Sequence, residues 1–144
     1  MRKQISFIFI TFVVINSFCQ KPQTKNYTAF DVFLTEQNSK IKQIDSGMTI
    51  SSVKETMGPS LIVAVPKKKK INALNQLFKQ PEYTNHYTGN PKVTVDILWY
   101  FSTPKDQNGL ISKSECTPIL FENGISIGKG WDFFKQYRRT GNIR

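Results

Sequence analysis

Apolar and polar positions pair off most clearly near the end of the chain, in PILFENGISIGKGW (residues 118–131), where two apolar runs meet at Asn123-Gly124. Asn-Gly suits a two-residue type I′ turn, because both central residues need positive φ. Such a turn sets a register: Glu122 opposite Ile125, Phe121 opposite Ser126, and Leu120 opposite Ile127. Ile119, Phe121, Ser126 and Gly128 then share one face, and Leu120, Glu122, Ile125 and Ile127 the other. Neither face is polar throughout, so the hairpin belongs inside a larger packed sheet.

The strongest single strand is residues 93–101, with Val93, Val95, Ile97, Trp99 and Phe101 on one side and Thr94, Asp96, Leu98 and Tyr100 on the other. It returns from residues 82–88 across Gly89-Asn90-Pro91, a turn signal, and its aromatic stripe at two-residue spacing reads as a core face. Earlier, LIVAV (61–65), closed by Pro66, reads as a buried strand. Phe30, Phe33, Leu34, Ile41 and Ile44 recur at near-helical spacing up to about residue 45. After a bend at Gly47-Met48, Thr49 caps a short helix with Ile50, Val53 and Met57 on its apolar face. Gly58-Pro59 stops it, with Gly58 expected in the left-handed conformation. Lys67, Lys68, Lys69 and Lys70 lead into Ile71, Leu74, Leu77 and Phe78, spaced as one face of a basic amphipathic helix ending before Pro81. Four lysines at a helix N-terminus oppose the macrodipole, so helix stability does not account for them. DFFKQYRR (132–139) forms a short amphipathic tail, and the last residues fray.

The N-terminus changes the picture from fold to destination. Arg2 and Lys3 precede an apolar run from Ile5 to Ile15, with Cys19 just beyond, the layout of a secretory signal over residues 1–19. The run is short for a bilayer span. Two processing routes stay open: cleavage that leaves Gln20 first, or acylation of Cys19 as the first residue of a lipoprotein. Residues 20–28, polar with one Pro, read as a flexible tether. Residues 29–144 then form a single domain. Export leaves about 125 of the 144 residues, enough for one core. The whole chain carries 20 basic against 10 acidic residues, net +10, falling to about +8 after cleavage. That excess points to anionic surfaces, in the envelope a lipid or an acidic protein partner; nucleic acid is not expected.

Candidate chemistry is sparse. Removal or acylation of Cys19 leaves Cys116 alone, so no internal disulfide is expected, and Cys116 reads as a buried, inert thiol. His86 is the single histidine. Asp106, Asn108 and Ser112 hint at a calcium loop, but Leu110 and Ile111 stand where that loop needs a ligand and a Gly. No catalytic constellation, metal cluster or cofactor motif is expected.

Taken together, NSKIKQIDSGMTISSVKETMGPS and ILWYFSTPKDQNGLISKSECTPILFENGISIGKGWDFF resemble a family of small bacterial envelope proteins and lipoproteins similar to the SmpA/OmlA group, which includes the outer-membrane-assembly lipoprotein BamE. The resemblance runs from about Asn38 to Phe134. It is carried by Gly47-Met48-Thr49, Val53, Gly58-Pro59, Trp99-Tyr100, Thr117-Pro118, Phe121, Asn123-Gly124 and the 128–131 stretch GKGW. The family tends to have a second Trp where Lys129 stands, and residues 60–92 are longer and more basic than its pattern. The implied fold is α+β, with two N-terminal helices packed on a three- to four-stranded antiparallel sheet. Here a basic amphipathic helical insertion is added. The shared positions are architectural, and no binding residue is carried over.

The functional expectation is a non-enzymatic envelope interaction or assembly module, periplasmic or outer-membrane associated. Two alternatives stand beside it: a secreted inhibitor of a hydrolase, which would present aromatics on a sheet face, and an anionic-lipid binder acting through Lys67, Lys68, Lys69 and Lys70.

Overall fold

The computed structural model describes residues 28–67, 70–88, 93–105, 110–141 and 143. The signal, most of the tether, Cys19, Lys68, Lys69, the Gly89-Asn90-Pro91 turn, Asp106 and Asn108 lie outside the described residues. The class is α+β, with three α-helices and two antiparallel sheets among the described residues. Two helices, α1 (Ala29–Gln43) and α2 (Ile50–Met57), precede six strands: β1 (Leu61–Lys67), β2 (Lys70–Phe78), β3 (Tyr83–Thr88), β4 (Thr94–Phe101), β5 (Cys116–Glu122) and β6 (Ile125–Lys129). A third helix, α3 (Trp131–Arg139), follows them.

Thr28, the expected end of the tether, is instead the cap of α1: its hydroxyl accepts from the Asp31 amide, and the Asp31 carboxylate accepts from the Thr28 amide. Thr49 caps α2 through the Ser52 amide at 3.1 Å. At the stop, Gly58 has positive φ as expected, but with φ 79° and ψ −170° it occupies an extended region open essentially to Gly alone, and not the left-handed helical one.

Strands β3-β4-β5-β6 form the main sheet in that order. Because β4 and β5 are central, both of their faces are buried. On one face Leu98, Tyr100, Ile119 and Phe121 meet Ile41, Ile44, Val53 and Met57 from the first two helices and the segment joining them. On the other, Val95, Ile97, Trp99 and Leu120 meet Phe134 and Tyr137 of α3, together with Ile143. The aromatic stripe is therefore core, and Ile143, in the stretch expected to fray, is buried in it.

The Asn123-Gly124 turn forms with φ of 49° and 82°, both positive as a type I′ turn needs. Beyond it the expected register fails after two pairs. Leu120 stands opposite Gly128, not Ile127, so Ile127 is the extra residue of a bulge. A one-residue shift swaps faces. Gly128 joins the α3 side, and Lys129 joins the α1–α2 side, where its ammonium donates to the carbonyls of Lys42 (2.8 Å) and Ile44 at the end of α1. A cation there complements the helix macrodipole.

The largest correction concerns residues 70–78. They form not an amphipathic helix but strand β2, which pairs antiparallel with β1 from Leu61↔Phe78 to Lys67↔Lys70. Each strand satisfies the other's backbone groups, which an isolated short helix with a repelling lysine end could not match. Nor is β1 buried on both sides: Val63 and Val65 face the core, while Leu61 and Ile62 are exposed.

Candidate interaction surface

The β1–β2 hairpin is a sheet of its own, outside the four-stranded one. One face is held down by aromatic packing. Phe78 lies 4.5 Å from Phe33 and 4.9 Å from Phe101, centroid to centroid, with Phe30 at 5.9 Å. Val63 and Val65 complete that cluster. The base is fixed by a reciprocal amide pair, in which Gln37 and Gln80 each donate to the other at 3.0 and 2.9 Å.

Among the described residues nothing covers the opposite face. Ile62 and Leu77 are directly paired across the strands and are 72% and 50% exposed. Two apolar side chains so placed gain nothing from folding beyond their mutual contact. Beside β2 runs an open groove of about 420 Å³ lined by Leu74, Asn75, Gln76 and Leu77, with Lys79, Glu82, Tyr83, Leu110 and Ile111 opposite. Leu110 is 74% exposed. The Tyr83 hydroxyl fixes the far wall by donating to the Ile111 carbonyl. Burial raises the pKa of the Glu82 carboxyl, while acceptance from the Lys79 amide at 2.8 Å acts the other way.

Of the four lysines, Lys67 and Lys70 close the β1–β2 ladder as opposite partners; Lys68 and Lys69, between them, are outside the described residues. The basic run is thus at the far end of a hairpin and not at the start of a helix. The sequence carries only a weak signal for the hairpin: LIVAV and the stretch after the lysines are both rich in apolar residues and a short polar run parts them, but the second stretch fits a helical spacing equally well.

Elsewhere, among the described residues, the single histidine and Cys116 are not brought together. His86 Nδ1 lies 2.6 Å from Asp96 Oδ1 on the β3–β4 pair, with the imidazole largely exposed. Cys116 pairs with Phe101, five residues along β4 from Asp96, or roughly 17 Å at strand spacing. Burial, reinforced by the carboxylates of Glu82 and Glu115, pushes the Cys116 thiol up to about 12, so its thiolate is scarce at neutral pH. A cleft of about 430 Å³ beside it is lined by Ser102, Thr117, Trp131, Lys105 and Lys135 among others. Among the described residues its lining holds no carboxylate or imidazole. Among the described residues no group of three or more His, Cys, Asp or Glu is placed to hold a metal ion, and no helix is long and apolar enough to cross a membrane.

Comparison with protein-family models, curated proteins and solved structures finds no match to this chain.

Proposed function

We propose that the chain is a non-enzymatic interaction or assembly module of the bacterial cell envelope, exported by its N-terminal signal, and that it docks through the β1–β2 hairpin. In this reading α1 and α2 with the four-stranded sheet are the helix-on-sheet arrangement of the SmpA/OmlA group, and the hairpin is an addition peculiar to this chain. The observation that carries it is the exposed pair Ile62 and Leu77 on a hairpin whose ladder closes at Lys67 and Lys70. Exposed apolar side chains beside concentrated charge mark a contact surface more than a solvated one. The burial of Trp99 and Tyr100 weighs against the inhibitor alternative, which would need exposed aromatics on a sheet face, while Trp131 is half-buried. A general acid–base site has no support in the placement of His86 and Cys116.

The test compares two full chains, both carrying Cys19→Ala so that acylation cannot hold either on a membrane. One is otherwise unchanged. The other has Ser at 62 and 77 and Gln at 67–70. The expected result is an unchanged Tm and about tenfold weaker retention on purified envelope membranes for the second. Equal retention would remove the hairpin as the docking surface.

A further inference from the structure

Strand edges are the places where another chain can add, and proteins ordinarily blunt them. Two edges here are managed. The outer side of β6 is taken by the α1–α2 connection, through Gly47 N–H to the Ser126 carbonyl (2.8 Å), Ser126 N–H to that of Met48 (2.8 Å) and Ile50 N–H to that of Gly124 (3.1 Å). Strand β3, at the other side of the main sheet, has six residues, YTNHYT, polar and alternately exposed. Strand β2 has none of these devices. It runs nine residues, KINALNQLF, without Pro and with a charge only at its first position. Four consecutive residues, 74–77, line the groove beside it. Alternate side chains point to opposite faces of a strand, so four in a row can border one groove only if the groove follows the strand's edge.

Resting on the reading that the hairpin docks, we infer that the free edge of β2 receives an extended, acidic segment of a partner protein as a third strand. Backbone hydrogen bonds to β2 supply the register, and the groove walls Leu74, Leu77, Leu110 and Ile111 take its alternate apolar side chains. Charge selects the occupant. Lys67 and Lys70 close the ladder at one end of the edge, and at the other Lys79 stands beside Glu82, whose carboxylate offsets it, so the net positive charge lies at the Lys67–Lys70 end. A second copy is disfavoured on the same ground. Antiparallel self-pairing of β2 sets Lys70 against the Lys79 end of the copy, and parallel self-pairing sets the two Lys70 ends side by side.

The probe is a fluorescent peptide of alternating Val and Thr with Glu at both ends, compared with one carrying Lys in place of each Glu. The measurements are anisotropy and amide hydrogen exchange on the full chain at low salt. The acidic peptide should bind about tenfold more tightly than the basic one. It should also slow exchange at the alternate β2 amides that point away from β1. Leu77→Glu, at an exposed position, should weaken binding about tenfold with no change in Tm. Equal binding of the two peptides, or unchanged β2 exchange on saturation, would overturn the inference. So would slowed exchange with vesicles of phosphatidylglycerol but not with peptide; that outcome identifies a lipid surface and leaves hairpin docking intact. Slowed β2 exchange that follows protein concentration with no peptide present would assign the edge to a second copy and overturn it as well.

Discussion

Gly128 lies opposite Leu120, and an added Cβ at that glycine would sit 2.5 Å from the ring of Phe133. The bulge at Ile127 brings the two together by turning Gly128 toward α3, and the absence of a side chain lets the first turn of that helix close on the sheet. Gly128→Ala should therefore cost about 1–3 kcal/mol by overpacking. Most of the loss should be recovered in the double variant Gly128→Ala/Phe133→Leu. Denaturant unfolding of the four proteins in this cycle is the check, and strict additivity would mean the two residues do not interact.

Gly124→Val tests the turn on the other side of the same hairpin. Its Cβ would meet nothing within 4 Å, so the cost is backbone strain alone at φ 82°. About 1–3 kcal/mol is expected for a β-branched residue there. An unchanged unfolding midpoint would contradict the turn assignment.

These two glycines mark how far the fold could be read from sequence. Asn123-Gly124 is a local signal, since the backbone conformation is written in the two residues that adopt it. The bulge one turn of the ladder later is not local. Ile127 is displaced because Ser126 is claimed by the Met48 carbonyl and amide contacts of the α1–α2 connection, and Lys129 by the end of α1. Both partners lie some eighty residues away in the chain. The α2 boundaries were legible for the same reason as the turn, with Thr49 and Gly58 acting on their own neighbours. Strand β2 was not, because Ile71, Leu74 and Phe78 fit a helical spacing and only pairing with β1 decides against it. The lysine run opposed to a helix dipole was the warning that the helical spacing was accidental.

Tyr100 carries a hydroxyl that is buried and finds no hydrogen-bond partner among the described residues. Its ionisation is pushed strongly upward by burial, so the group stays neutral and unsatisfied. Tyr100→Phe removes an unpaired polar atom without changing shape, and should raise stability by about 1 kcal/mol. Loss of stability on that substitution would show that the hydroxyl has a partner.

Cys116 should be inert while the protein is folded. With its thiol pushed up to about 12 and the side chain buried, alkylation by iodoacetamide near pH 8 should be slower than in the unfolded chain by about 100-fold or more. The thiolate fraction, and with it the rate, should rise with pH toward 12. Rapid labelling at pH 8 in native buffer would contradict the buried assignment.

The hairpin account is tested most directly by placing a photo-cross-linking amino acid at position 62 or 77 in the full chain, within native envelopes. A control at Gln136, exposed on α3, reports on a different element of the molecule. Adducts at 62 and 77 with none at 136 are the predicted result; adducts at 136 alone, or equally at all three positions, would contradict docking through the β1–β2 hairpin.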